Sequence, residues 1–185
     1  MDNVVFLDRD GVINRDSPAY IKTWEEFEFL PGSLEAMALL TRNGFTLIVI
    51  TNQSIIGRGM ADMRTLSHTH RQMSETVAAN GGRIRDIFFC PHHPEDGCDC
   101  RKPAPGLIFK ARDTYNIDLA NAVMVGDSAK DIECARNAGC GASVLVKTGN
   151  GLSAMETLAE KGIGPDYQAA DLLDAARWIL GFRHP

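Results

Sequence analysis

Apolar and polar positions alternate along the chain in two periods. Short runs rich in apolar residues at 4–7, 45–50, 84–89, 122–125 and 143–146 suit buried strands. Between them lie segments with helical spacing. Leu34, Met37 and Leu40 fall at i, i+3 and i+6 of a segment that Ser33 caps and that runs to Asn43 before Gly44. Further helices are expected over 63–80, from Pro105-Gly106 to Tyr115, over 128–137 and over 171–180, where Leu172, Ala176 and Ile179 share a face. The polar, aromatic stretch 15–29 reads as a loop or short helix over the end of the first strand. Strand-helix alternation of this kind implies right-handed crossovers and an α/β, Rossmann-like, mostly parallel sheet with helices on both faces. With no internal repeat or linker, residues 1–185 read as a single domain.

Polar residues recur where these strands end. Val4–Leu7 runs into Asp8-Arg9-Asp10-Gly11, the second strand into Thr51-Asn52-Gln53-Ser54, and the fourth into Gly126-Asp127. Ligands of open α/β sheets gather at the carboxyl ends of strands. Asp8 and Asp10, two residues apart on an extended chain, can converge on one point, where a divalent cation would relieve their repulsion. Asp127 adds a third hard oxygen suited to Mg²⁺, and Thr51 offers a hydroxyl to phosphate oxygens. Each residue taken alone has a plainer explanation: a solvated turn, a helix N-cap or a satisfied strand-end threonine. Their repetition at one end of the sheet favours a site.

Composition narrows the partners. A formal charge of −5 and a pI near 5.5 argue against a broad nucleic-acid surface. The N-terminus lacks the pattern of a signal peptide, and no apolar run is long enough for a membrane span, so a cytoplasmic protein without a membrane partner is expected. In that compartment five cysteines point to metal or free thiols before disulfides. Residues 90–100, CPHHPEDGCDC, suit a closed tetrahedral zinc site of Cys90, His92, Cys98 and Cys100 that staples a long loop, with His93 spare; reduced free thiols are the alternative. Arg101-Lys102 follow directly, cations fit for phosphate or ordinary surface charges, stiffened by Pro103 and Pro105. Cys134 and Cys140 read as packing residues, and His68 and His70 as surface ones.

DRDG at residues 8–11, Thr51-Asn52, Lys102 and GDSAKD at residues 126–131 resemble, in order, the motifs of the haloacid dehalogenase superfamily of phosphatases. The zinc loop is similar to that of the branch holding the histidinol-phosphate and heptose-bisphosphate phosphatases. DRDGVIN, TNQS with Arg58-Gly59, CPHHP, CDCRKPAPG and Val146-Lys147-Thr148-Gly149 resemble the heptose group more. The resemblance implies Mg²⁺-dependent phosphomonoester hydrolysis with Asp8 as nucleophile and Asp10 as general acid and base. It implies Mg²⁺ between Asp8, the Asp10 carbonyl and Asp127, support from Asp131, and phosphoryl stabilisation by Thr51 and Lys102. Asp16, Tyr20, Asn52, Gln53, Ser54 and Arg101 would contact a small sugar bisphosphate, Arg101 at its second phosphate with Arg58 as a further cation. A monomer without a large cap domain is expected. The chain departs from the heptose pattern at Ile55, where glycine is common, and at Ser128, where many members carry lysine and Lys130 could substitute. Histidinol phosphate is the alternative substrate, and a zinc-stapled binding domain without turnover the competing class.

Overall fold

The computed structural model describes residues 3–183; the expected domain of 1–185 extends at each end over two residues that lie outside this range. Six strands form one sheet: β1 (Val4–Leu7), β2 (Thr46–Asn52), β3 (Ile84–Cys90), β4 (Val123–Gly126), β5 (Ala142–Val146) and β6 (Tyr167–Ala169). Their order is β3-β2-β1-β4-β5-β6, with every neighbouring pair parallel. Six α-helices connect or follow the strands: α1 (Ser33–Arg42), α2 (Met63–Ala79), α3 (Gly106–Tyr115), α4 (Ala129–Ala138), α5 (Gly151–Glu160) and α6 (Leu172–Arg183). No separate cap domain is inserted among the described residues.

The central strands are buried on both sides, and the period of two decides which residue faces which layer. Val5, Leu7, Leu47, Val49, Val123 and Val125 pack with Met37 and Leu40 of α1, Met73 and Val77 of α2, and Ala176 and Ile179 of α6. Val4, Phe6, Ile48, Ile50 and Met124 pack on the other face with Leu107, Ile108 and Ala111 of α3 and Cys134 and Ala135 of α4. A one-residue slip in β1 would exchange these two sets. Cys134 is buried in the second layer and Cys140 packs against it, so both are packing residues.

Most expected elements form, with shifted ends. Ser33 is the first residue of α1 rather than its cap; Gly32 holds the cap position in left-handed backbone, φ 77°. β2 extends through Asn52, so Thr51 and Asn52 belong to the strand itself. The short 3₁₀ turn Trp24–Glu26 lies within the expected loop. α5 and β6 were not anticipated. β6 is a three-residue edge strand, and α5 buries only Gly151, Ala154 and Leu158, so neither carries a strong periodic signal.

The strand order places β1 beside β4, the point from which the chain winds outward in both directions. Crevices open at such switch points, just past the carboxyl ends of the strands. The Asp8 N–H donates to Val125 O at 2.9 Å, so the first residue beyond β1 is registered against β4.

Candidate active site

The residues beyond β1, β2, β4 and β5 meet around one cavity of about 480 Å³. Its walls include Asp8, Asp10, Asp16, Tyr20, Thr51, Asn52, Ser54, Arg101, Lys102 and Asp127, joined by Ser128, Lys130 and Asn150. Thus the expected catalytic and substrate residues other than Gln53 reach the same space, while Asp131 and the Cys/His group lie outside it. Gln53 does not line it. Its buried amide donates to Asp10 Oδ2 at 3.0 Å and to Thr51 Oγ1 at 2.9 Å, behind the wall. Arg58 is also off the cavity; its guanidinium stacks on Tyr20 at 5.5 Å from the ring centroid.

The floor is organised by Lys102, which is 2% exposed. Its ammonium lies 2.8 Å from Asp8 Oδ1 and 2.6 Å from Asp131 Oδ1, and donates to Ile50 O at 2.8 Å. Burial alone would lower this amine, but Asp131 and Asp8 outweigh it and hold it charged. The Arg9 N–H also donates to Asp8 Oδ1, at 2.7 Å, so two donors share one oxygen of Asp8. Asp131 Oδ2 accepts from Ser128 N at 3.0 Å and Ser128 Oγ at 2.8 Å, fixing the first turn of α4. Asp127 Oδ2 accepts from the Asn150 N–H at 2.8 Å.

The acidic cluster lacks enough positive charge of its own. Burial, with the charge of Asp131, pushes Asp8 up to about 7 although Lys102 opposes it. Burial and the nearby Asp8 and Asp131 push Asp127 up to about 8. Carboxyl oxygens of Asp8, Asp127 and Asp131 lie within 4.8 Å of one another. Since Asp131 is already engaged by Lys102 and Ser128, Asp8 and Asp127 are the oxygens that fit a hard divalent cation such as Mg²⁺. The approach leaves no room for side chains. A Cβ on Gly11 or Gly149, both in left-handed backbone, would collide with the Asp127 carboxylate.

Asp10 is held differently. Burial would raise its carboxyl, but Arg9, Asn14 and Gln53 outweigh that and keep it below the ordinary range. Arg9 Nη2 reaches both oxygens, at 2.8 and 2.9 Å, and Asn14 Nδ2 donates at 2.9 Å. Arg9 is itself 1% exposed, with its guanidinium 5.9 Å from the Phe27 ring centroid. His70, expected at the surface, is buried beneath it, with Nε2 3.4 Å from Arg9 Nη1 and its ring edge-on to Phe89. The reason is helical phase: Leu66, Thr69, His70, Met73 and Val77 share the inner side of α2, while His68 stays exposed. Burial and the Arg9 charge push His70 down to about 3, so it is a neutral packing partner.

Beside this floor lies the thiol cluster. Cys90 Sγ is 3.5 Å from Cys98 Sγ and 3.6 Å from His92 Nδ1; Cys100 Sγ is 3.5 Å from Cys98 Sγ and 3.2 Å from His92 Nδ1. Ligand atoms around a tetrahedral zinc at ordinary bond lengths lie roughly 3.4–3.8 Å apart; three of these separations fall in that range and the His92–Cys100 one is slightly shorter, so the group is compatible with that ion. His93 is outside the set; its N–H donates to Asp96 Oδ2 at 2.8 Å. The cluster is tied to the loop after β2 by Gln53 N–H to Cys90 O and Gly57 N–H to Pro91 O, both 2.8 Å.

Three contributors escaped the sequence analysis: Arg9, Asn14 and Asn150. Asn150 carried a readable signal, since Gly149-Asn150-Gly151 is a polar turn past the end of β5, where the other site residues also cluster. Arg9 offered none, because a charged residue between two aspartates reads as solvated, and Asn14 none, because a lone asparagine beside a charged residue reads as a polar turn.

Residues 99–175 match the model of the HAD-hydrolase-like family. A D-glycero-beta-D-manno-heptose-1,7-bisphosphate 7-phosphatase from Bordetella bronchiseptica is 47% identical over 178 residues, covering 96% of this chain and 97% of that protein. The protein of the same name from Pseudomonas aeruginosa is 49% identical over 150 residues, 81% of this chain and 84% of that one. The crystal structure of the B. bronchiseptica D,D-heptose 1,7-bisphosphate phosphatase, complexed with magnesium and phosphate, superposes with a TM-score of 0.91 at 43% identity, over 97% of this chain and 99% of that one.

The raised carboxyls set a pH dependence. Asp8 and Asp127 bind protons more tightly folded than unfolded, so their contribution to stability is full below about pH 4 and is lost as pH rises through 7 and 8. A bound cation removes that loss, and protons compete with it. Mg²⁺ is therefore expected to raise the melting temperature more at about pH 8 than at about pH 5.5. Thermal melts with and without Mg²⁺ check this; equal gains at both pH values would contradict it.

Proposed function

The chain belongs to the heptose-bisphosphate phosphatase family of the HAD-like hydrolases, and from that premise we propose that it removes the 7-phosphate of D-glycero-β-D-manno-heptose 1,7-bisphosphate. The product is heptose 1-phosphate, a form ready for nucleotidyl activation toward lipopolysaccharide core or another heptose-containing glycan. The observation that carries this reading is the Lys102 bridge. It draws Asp8 and Asp131 together at the sheet's switch point, with an Asp127 carboxyl oxygen within 4.8 Å of both.

Each residue then has a part. Asp8 Oδ1 is occupied by Lys102 and the Arg9 N–H, which leaves Oδ2 without a protein donor among the described residues, available to attack phosphorus and form an aspartyl-phosphate. Asp8, the Asp10 carbonyl and Asp127 would hold Mg²⁺, which when bound neutralises charge so that one anion can approach another. Thr51 would offer its hydroxyl to the phosphoryl oxygens, while Lys102, whose three donors are held by Asp8, Asp131 and Ile50 O, would act on them by its charge through Asp8. Asp10 rests as the carboxylate, the form that takes a proton from the hydrolytic water. To protonate the departing sugar oxygen it must first take up a proton, which requires moving off the Arg9 guanidinium, and Gln53 then serves to orient Asp10 rather than to touch sugar.

The bisphosphate reading draws on the remaining cations. Lys102 is fully engaged, so Arg101 and Lys130 are the cavity-lining positive charges left for a second phosphate. Arg101 Nη1 is buried without a hydrogen-bond partner among the described residues, so the guanidinium has a donor to spare, which must turn into the cavity to reach an anionic oxygen. The sugar would lie between Asp16, Tyr20, Asn52 and Ser54. No helix among the described residues is long and apolar enough to cross a membrane. Zinc held by Cys90, His92, Cys98 and Cys100 would fix the loop that presents Arg101 and Lys102.

Phosphate release with Mg²⁺ from the two anomers of heptose 1,7-bisphosphate and from histidinol phosphate tests the function. The β anomer is expected to give the highest kcat/KM, by about tenfold or more. Preference for histidinol phosphate would overturn the substrate assignment. Removing zinc by chelation is expected to lower the melting temperature by roughly 5–10 °C and to cut activity, with recovery on adding Zn²⁺ but not Mg²⁺. Unchanged melting and activity in metal-free protein would remove the zinc site from the account.

A further inference from the structure

Asn150 joins the metal-facing carboxylate to the loop that walls the cavity. It lies in the turn between β5 and α5, and its backbone N–H donates to Asp127 Oδ2 at 2.8 Å. Its side-chain Nδ2 donates to the same oxygen at 3.2 Å and to Asp16 Oδ2 at 2.9 Å. An amide nitrogen has two hydrogens, so one is available for each carboxylate. Asp16 and Asp127 are 111 positions apart in sequence, and this one side chain spans them.

Loop 16–20 depends on that bond more than on its own contacts. Its other hydrogen bonds among the described residues are local: Ser17 N–H to Asp16 Oδ1, Ala19 N–H to Ser17 Oγ, Tyr20 N–H to Ser17 O, and Lys22 Nζ to the carbonyls of Ala19 and Tyr20. The loop is exposed apart from the half-buried Ser17, and the exposed Arg58 lies 5.5 Å from the Tyr20 ring centroid. Few buried contacts mean a low local opening energy. A tether from Asp16 to a fixed point on the sheet therefore has a large effect on the loop's order.

We propose that Asn150 is a positioning residue that couples cation occupancy at Asp127 to the closure of loop 16–20 over the substrate. A cation on Asp127 fixes the carboxylate, the carboxylate fixes the Asn150 amide, and the amide holds Asp16. Coupling is reciprocal, so a substrate that orders the loop also tightens the cation. Partners that orient ligating carboxylates in this way commonly matter to metal sites. The substrate side of the inference rests on the phosphatase reading; the loop side does not.

Hydrogen exchange of peptides covering residues 15–21, with and without Mg²⁺, separates the two. In the parent protein Mg²⁺ is expected to slow exchange there by about fivefold, and in Asn150→Ala to leave it unchanged. The variant keeps the backbone N–H to Asp127, and Asn150 is exposed, so the fold is retained. For the heptose bisphosphate, Asn150→Ala is expected to raise KM about tenfold with kcat within about twofold. In a double-mutant cycle with Asp16→Ala, the two effects on KM should be non-additive. Equal Mg²⁺ protection in parent and variant, no protection in the parent, or an additive cycle would each overturn the coupling. A parent protein that does not hydrolyse the bisphosphate would instead overturn the functional reading, while the exchange result still decides the tether.

Discussion

One buried ammonium sets the distances of the catalytic centre. Lys102 is bound by Asp8 beyond β1, by Ile50 O on β2 and by Asp131 in the first turn of α4. Desolvating these charges costs several kcal/mol per ion, and only close, fully partnered geometry offsets it. The three acceptors come from separate elements, so the pairing also fixes how the ends of β1 and β2 stand relative to α4. Removing the lysine would leave two carboxylates facing each other in a cavity where burial already pushes Asp8 and Asp127 upward.

Lys102 reaches that position because its loop is held from both sides. Asn52 at the end of β2 exchanges two hydrogen bonds with the Lys102 backbone, at 3.1 and 3.3 Å. The Cys90, His92, Cys98 and Cys100 cluster closes the loop directly upstream. A long exposed segment thereby delivers two adjacent cations with different surroundings: Lys102 sealed under the floor, Arg101 facing the cavity with one nitrogen unsatisfied. No separate cap domain is inserted among the described residues, and Asp16 is tied to Asp127 through Asn150.

Much of this was legible in the chain. Buried parallel strands announce themselves as apolar runs, and the carboxyl-end rule gathered Asp8, Thr51 and Asp127 before any coordinates. The Cys90, His92, Cys98 and Cys100 cluster was readable because its members are local in sequence. What escaped depends on long-range placement. His70 is buried by the phase of α2 against β3, and Arg9 by its ion pair with Asp10, neither of which composition reveals. α5 and β6 escaped because short or small-residue elements take their stability from neighbours rather than from their own pattern. Gln53 sat in a motif that resembled substrate contacts, yet its buried amide is held behind the wall by Asp10 and Thr51.

The central claim is that the Lys102-bound Asp8 is the nucleophile. Acid quenching during turnover of the heptose bisphosphate, followed by mass spectrometry of the digested protein, tests it most directly. The account requires a gain of about 80 Da, one phosphoryl group, on the peptide carrying Asp8, absent when Asp8→Asn is used. Full turnover with no phosphorylated peptide, or with the phosphoryl group on another residue, would contradict it.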